Sequence, residues 1–409
     1  MDVKPRKGYK LVKTLFGKYE EIPDSWEISS LTHKDILYLS SGEAIGNITL
    51  KGKYPVYGSN GIIGYTEQYN EDDAILIGRV GSSGSIHYLD QKVWVTDNVL
   101  ISKMNKKLLK KFCYYALKHA KLERFATKSA QPLLTQSILK IVKIKIPSKT
   151  EQQKIASILS GVDATIEATQ KVIDKTEKLK KGLMQQLLIR GIGHTKSKKI
   201  TFGRHFIEYN IPDDWDLTTL NVCATVHGRI GWKNLRSDEY VESGFLMLSV
   251  WSLIDTLYGI NFTKGIKRLS KFRYDESPEI QLYNDDVLVA KDGDIGRIGF
   301  VKKLPEPATV NSHVVIVRVH NKSPNPEFLY WFFKSKQFQT YCKAFTSGTT
   351  VPLFTQKDLR NSIIPLPKIA EQQKIASILS GVDAISTLLV TKIRMRLATF
   401  LKLLSLSVL

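Results

Sequence analysis

The chain has 409 residues, 43% of them hydrophobic, with 60 Lys and Arg against 39 Asp and Glu for a formal charge of +21. Such a chain can bury cores for two domains plus connectors, and the charge marks a polyanion as partner, because each neutralised phosphate releases condensed counterions. Cys113, Cys223 and Cys342 are isolated and odd in number, which excludes a disulfide framework or a zinc site. The charged start MDVKPRKGYK lacks the apolar core of a secretory signal, and the apolar-rich Leu397 to Leu409 is broken by Lys402 and too short to span a bilayer. The reading is a soluble, reduced, cytoplasmic protein with no membrane partner.

In chain order, a Phe16-Gly17 pair precedes IPDSW (Ile22 to Trp26). YPVYGSNGIIGY (Tyr54 to Tyr65) then alternates apolar and aromatic residues around Gly58, Asn60, Gly61 and Gly64, the pattern of short strands and a tight turn. Strands follow at Ala74 to Ile77, Ser85 to Tyr88 and Val99 to Ser102, and a helix from about Leu108 to Phe125. After Pro132-Leu-Leu-Thr-Gln136 comes EQQKIASILSGVDA (Glu151 to Ala164), with Ile155, Ile158, Leu159 and Val162 on one helical face and Glu151, Gln152 and Lys154 off it. The apolar steps continue through Ile166, Thr169, Ile173, Thr176, Leu179, Leu183 and Leu187 as a coiled-coil seam. Ser160-Gly161 predicts a break before Asp163, and Gly182 predicts close approach of a second helix. From Asp163 to Ile189 such a rod is about 40 Å long, about 12 base pairs of duplex.

Then the order repeats. Phe202-Gly203 and IPDDW (Ile211 to Trp215) return; DDAILIGRVGSSGSI from Asp72 is echoed by NDDVLVAKDGDIGRI from Asn284; Pro-Leu-x-Thr-Gln recurs at Pro352 to Gln356. The fourteen residues of EQQKIASILSGVDA return unchanged at Glu371 to Ala384. Strands are predicted at Phe245 to Val250, Val287 to Ala290, Ile298 to Val301 and His313 to Val319, and a helix at Pro326 to Phe345. The chain is a tandem of two half-molecules, each a variable mixed α/β segment followed by a nearly invariant helical one. After Ala384 the second copy loses its template: ISTLLVTKIRMRLATFLKLLSLSVL carries no acidic residue, as a reading-frame shift after about Asp383 would produce, with an altered seam and an apolar exposed side.

No catalytic constellation stands out. GxxxxGK[ST] is missing, Gly293, Gly296 and Gly299 do not reproduce GxGxxG, Pro23-Asp24 with Asp90-Gln91-Lys92 is a chance-level nuclease pattern, and His87, His227 and His313 lack metal-ligand spacing.

The alternating variable and helical segments, IPDxW, the EQQKIASILSGVDA copies and the extension KLKKGLMQQLL (Lys178 to Leu188) together closely resemble the specificity subunit of type I restriction-modification enzymes, over nearly the whole chain. YPVYGSNGIIGY and GRIGWKNL (Gly228 to Leu235) look like two variants of that family's target recognition domain. The resemblance implies a mixed α/β fold with two globular target recognition domains separated by long conserved helices. These helices would pack as an antiparallel coiled-coil spacer in a pseudo-twofold internal repeat. The segments would be residues 1–146 as the first recognition domain with its N-terminal segment, 147–192 as the central spacer, 193–366 as the second domain with its linker, and 367–409 as the distal spacer with its atypical tail. It implies no activity of the chain's own: each domain reads half of a bipartite, asymmetric target in double-stranded DNA. Two methyltransferase subunits carry S-adenosylmethionine and methylate adenine, and two restriction subunits supply ATP- and Mg2+-dependent translocation and cleavage. No cofactor is expected on this chain.

For DNA contact the first domain offers Lys51, Lys53, Tyr57, Ser59 and Asn60 from the glycine turn, Arg79, Ser82 and Ser83 after the strand, and Lys128, Ser129 and Gln131. The second offers Arg229, Trp232 and Lys233, then Lys291, Asp292 and Arg297, and Ser347, Thr349 and Thr350. Glu151, Gln152 and Lys154 with their copies Glu371, Gln372 and Lys374, identical where exposure would free them to vary, are read as a surface for a common partner subunit. A DNA-binding scaffold or regulator outside restriction is the alternative that charge and coiled coil alone allow.

Overall fold

The computed structural model describes residues 4–13, 19–33, 36–202, 207–228, 235–263, 265–344 and 354–406. They form two compact units, residues 1–168 with 395–409, and residues 169–394.

The first unit runs β1 (Tyr9–Lys13), β2 (Tyr19–Pro23), β3 (Glu27–Ser30), β4 (Leu37–Ser41), β5 (Tyr54–Gly58), β6 (Gly61–Thr66), β7 (Ile75–Gly78), β8 (Ile86–Tyr88), β9 (Trp94–Val95), β10 (Val99–Met104), α1 (Lys110–Ala120), α2 (Gln136–Leu139), β11 (Lys143–Ile146) and the long α3 (Lys149–Arg190), which continues into the second unit. Its main sheet has the order β4-β10-β7-β8, beside a three-stranded β6-β5-β9 and a β3·β11 pair. Strand β7 is buried along its whole length, as an apolar run without alternation requires. Leu100, Phe112, Leu117, Leu134 and Ile144 close the core around it.

The second unit continues with β12 (Ser197–Phe202), β13 (Ile207–Pro212), β14 (Asp216–Thr219), α4 (Leu220–Cys223), β15 (Ala224–Gly228), β16 (Tyr240–Leu248), β17 (Lys267–Leu269), α5 (Lys271–Asp275), β18 (Val287–Ala290), β19 (Ile298–Phe300), β20 (Ala308–Val310), β21 (Val314–Val319), α6 (Pro326–Lys334), α7 (Lys336–Ala344), α8 (Gln356–Arg360), β22 (Ile363–Leu366) and α9 (Ile369–Leu406), whose residues from Met395 on belong to the first unit. Its main sheet, β15-β21-β18-β19, repeats the order of the first. β16·β20 repeats the parallel pairing of β5·β9, and β14·β22 repeats β3·β11. The duplication written in the sequence is therefore a duplication of topology. The helix expected from Pro326 to Phe345 breaks at Ser335, which is extended and caps the break.

The repeated motifs acquire local causes. In both Pro-Leu-x-Thr-Gln copies the Thr is the N-cap of a short helix: Thr135 Oγ1 accepts from Ile138 N–H (3.2 Å) and Thr355 Oγ1 from Asp358 N–H (3.1 Å). Trp26 and Trp215 of IPDxW are buried, and their indole N–H groups donate to Glu151 and Glu371, each at 3.3 Å. The Phe-Gly markers Phe16-Gly17 and Gly203 lie outside the described residues.

Helix α3 is continuous through Ser160-Gly161, so the expected break is absent; Ala156 and Leu159, packed inward on the preceding turn, keep the helix on course. Nor does Gly182 admit a second helix, since a methyl group there would meet nothing within 4 Å. The seam holds at Ile166, Thr169, Ile173, Thr176, Leu183 and Leu187, all buried or half-buried, and departs at one position: Leu179 is 54% exposed, while Lys180 turns inward and pairs with Asp383 at 2.7 Å. With Ser386 donating to Glu177 at 2.6 Å, this pair runs the second half of α3 antiparallel to α9. Residues 369–396 of α9 are long and apolar enough to cross a membrane, a length the reading of the last residues did not reveal. Within it Ile375, Ala376 and Leu379 belong to the core of the second unit, whereas Ile385, Leu388 and Met395, beyond Ala384, are exposed, the apolar exposed side expected of the tail. The atypical tail stays helical to Leu406.

Candidate nucleic-acid interface

At one end of the first unit's main sheet, the chain leaving β7 turns through Gly81 (φ +76°) and Gly84 (φ +88°), conformations that favour glycine, and a methyl group on Gly84 would overlap the Glu123 backbone. Backbone bonds fix the turn: Arg79 N–H to Asn98 O (2.9 Å), Gly84 N–H to Gly78 O (2.8 Å) and Leu134 N–H to Arg79 O (2.8 Å). The second unit repeats all three, with Lys291 N–H to His313 O (3.0 Å), Gly296 N–H to Ala290 O (3.1 Å) and Phe354 N–H to Lys291 O (3.1 Å). Gly293 and Gly296 have φ of +69° and +86°. One backbone scaffold thus carries unlike side chains, Arg79, Ser82 and Asn98 in one copy and Lys291, Asp294 and His313 in the other.

In the first unit this turn borders a groove of about 530 Å³. Asn60, Ser82, Asp97, Asn98 and Gln131 give it a polar, exposed wall, and Ala44, Ile45, Ile48 and Ile63 an apolar one. The two walls suit the edges of base pairs, which offer donors, acceptors and thymine methyl groups. Ser82 Oγ lies 3.3 Å from Asn60 Oδ1, which joins the two loops.

Some expected contacts turn out to hold the fold. Ser59 is buried at the edge of the groove, its hydroxyl donating to Asn98 O (2.6 Å), and Ser83 is buried with its hydroxyl against Arg79 O (2.8 Å) and Pro132 O (2.5 Å). Tyr57 packs half-buried against a small core cluster and edge-on to His87, and the burial raises its phenol pKa. Arg79 is half-buried at the turn. Lys51, Lys53, Lys128 and Ser129 are exposed but do not line the groove; Ser129 Oγ instead closes a turn onto Gln131 O (2.7 Å). Thr96, Asp97 and Asn98 were missed, because only the pairing of β9 with β5 brings their loop beside Asn60.

In the second unit Lys291 and His313 both engage the Asp292 carboxylate, at 3.4 and 2.5 Å, and Arg297 pairs with Asp294 at 2.7 Å. Arg229, Trp232, Lys233, Ser347, Thr349 and Thr350 lie outside the described residues.

The expected partner surface on the fourteen-residue copies needs correction at its glutamines. Gln152 is 1% exposed and Gln372 2%. Gln152 accepts from Leu109 N–H (2.8 Å) and donates to Lys107 O and Pro147 O (both 3.0 Å); Gln372 accepts from Asn325 N–H (2.7 Å) and donates to Pro367 O (2.7 Å). Leu109 and Asn325 are the N-caps of α1 and α6. Glu151, held below the usual carboxylate range by Ser148 and by the Trp26 indole, serves the same docking, as does Glu371. Only Lys154 and Lys374 of the six point to solvent. Periodicity could not reveal this, since a glutamine off the apolar face reads as solvated.

The model of the Type I restriction modification DNA specificity domain matches residues 23–178 and again 251–398. The chain is 27% identical over 322 residues to the type I restriction enzyme MjaVIII specificity subunit of Methanocaldococcus jannaschii, covering 77% of this chain and 73% of that one. It is 25% identical over 337 residues to the EcoBI specificity subunit of Escherichia coli, covering 80% and 69%. The crystal structure of a type I restriction-modification S subunit from M. genitalium superposes with a TM-score of 0.66 at 19% identity, over 91% of this chain and 93% of that one.

Proposed function

The chain belongs to the family of type I restriction modification DNA specificity domains, and on that premise we propose that each of its globular domains reads one half of a bipartite, asymmetric DNA target for a multisubunit restriction-modification assembly. It is the target-recognition subunit and carries no catalysis of its own. Adenine methylation and DNA cleavage belong to partner subunits, two methyltransferase and two restriction chains, which carry S-adenosylmethionine, ATP and Mg2+. The helices set the gap between half-sites and dock the methyltransferases. Such an assembly works in the cytoplasm, held on DNA.

The observation that carries this reading is the loop scaffold repeated bond for bond at the same end of two sheets of the same order, with unlike side chains in each copy. Identical backbone under different side chains is what two reading heads on one plan require. The test copurifies the chain with a methyltransferase encoded beside it and maps adenine methylation by long-read sequencing. A two-part motif of fixed gap is expected, and exchanging residues 1–150 for another recognition domain should change one half only. Methylation unchanged by deleting the gene defeats the proposal.

A further inference from the structure

The matched scaffolds allow residues of the two reading faces to be paired by position. In the first unit Thr96 N–H bonds Tyr57 O (3.0 Å), and the chain continues through Gly58 and Ser59 to Asn60 on the groove wall. In the second unit Asn311 N–H bonds Leu248 O (2.9 Å). Counting on from Leu248 as from Tyr57, Trp251 stands where Asn60 stands.

Trp251 is 77% exposed, although Val250, Ser252 and Leu253 on either side of it are buried. Its short turn, Val250–Ser252, is tied down: Ser249 N–H donates to Ser252 Oγ (3.0 Å), Leu253 N–H to Val250 O (3.0 Å) and Asn261 N–H to Ser252 O (2.8 Å). Arg297 of the glycine turn donates to Leu253 O (3.0 Å), which brings the loop after β18 against the same turn. A large apolar ring is thus held in water on a rigid pedestal, among the loops that match the groove of the other unit.

Resting on the function proposed above, we propose that Trp251 is a specificity-determining residue of the second domain, its indole packing on the C5-methyl group of a thymine in the half-site that this domain reads. The major groove presents a methyl group only at A·T pairs, and an indole offers an apolar face with a single N–H donor. Asn60 at the matched position offers the opposite chemistry, an amide suited to adenine, so the position separates the preferences of the two heads.

The full chain, copurified with its methyltransferase, is compared as wild type, Trp251→Ala and Trp251→Phe by motif mapping and by methylation rate on short duplexes. Trp251→Ala should relax one position of one half-site and leave the other half and the gap unchanged, which also reports that the variant is folded. Trp251→Phe should keep most of the preference. Deoxyuridine in place of thymidine at that position should slow the wild type about fourfold, the worth of one buried methyl group, and leave Trp251→Ala indifferent. A bipartite wild-type motif that Trp251→Ala preserves in full overturns the assignment, as does a wild type indifferent to deoxyuridine at every position of that half-site. A wild type with no bipartite motif instead defeats the underlying function.

Discussion

Replacing Lys180 by Met isolates the ion pair that fixes α3 against α9. Lys180 Nζ and Asp383 Oδ1 are 2.7 Å apart, and both side chains are almost wholly buried. At an effective dielectric constant of about 20 their attraction is about 6 kcal/mol, and removing each ion from water costs several kcal/mol, so the intact pair is close to neutral overall. Its loss is not neutral. Among the described residues Asp383 Oδ2 already lacks a hydrogen-bond partner, and Lys180→Met leaves the whole carboxylate buried and uncompensated, at a cost of about 3–5 kcal/mol. Lys180→Met with Asp383→Leu should recover most of that loss. The assay is amide hydrogen exchange on peptides covering 173–190 and 375–394, read as opening free energies. Lys180→Met within about 1 kcal/mol of wild type, or a double variant no better than the single one, refutes the reasoning.

Four further outcomes follow from the same structure. Burial opposes the Lys180 charge, but the hydrogen bond and charge of Asp383 outweigh it and hold the pKa above the ordinary 10.5. The pair's contribution is therefore complete below pH 10.5 and fades as pH rises through the folded value, so the urea midpoints of wild type and Lys180→Met should converge above it. Gln152→Ala should destabilise the first unit by about 1–3 kcal/mol by stripping partners from Leu109 N–H and two carbonyls; exchange in α1 should report it, with α6 unaffected. Gly182→Ala, placing a methyl in open space, should slow exchange along α3 by about 1 kcal/mol. DNA affinity should fall by about 10³–10⁵ between 50 and 200 mM salt if six to ten phosphates are contacted, and a flat response in a titration would deny the basic charge that role.

The duplication, the strands β5 to β8, β10, β16, β18, β19 and β21, and the glycine turns after β7 and β18 were legible in the sequence, because they rest on local signals: identical segments, unbroken apolar runs such as VLVA and VVIVRV, and glycines at turns; the remaining strands, mostly shorter or more polar, were not. What escaped needed three dimensions. Lys180 reads as an exposed charge until Asp383, far along the chain, faces it. Gln152 and Gln372 read as solvated because periodicity registers apolarity and is blind to a polar side chain satisfied by backbone. The Ser160-Gly161 break was overridden because helix propagation and the packing of Leu159 outweigh about 1 kcal/mol of glycine propensity. Ser59 and Ser83 showed the limit for loops: a hydroxyl beside a glycine is as useful for closing a turn as for touching a ligand.

The bonds made by Gln152 and Gln372 have a consequence for redesign. Each glutamine reads only main-chain atoms, an N–H at the start of a domain helix and one or two carbonyls. These main-chain bonds are indifferent to the domain's side chains, but the rest of the attachment is not: Tyr115 donates to Asp163 (3.0 Å), Trp331 donates to Ser380 (3.0 Å), and Ala156 and Leu379 pack into the two cores. A foreign domain spliced between the IPDxW segment, which keeps its own buried tryptophan, and the fourteen-residue copy would need to present a helix start to the glutamine and side chains that fit the apolar face of the copy and its Asp163 or Ser380. The glutamine socket can stay constant while the domain varies at every side chain that does not itself meet the helix.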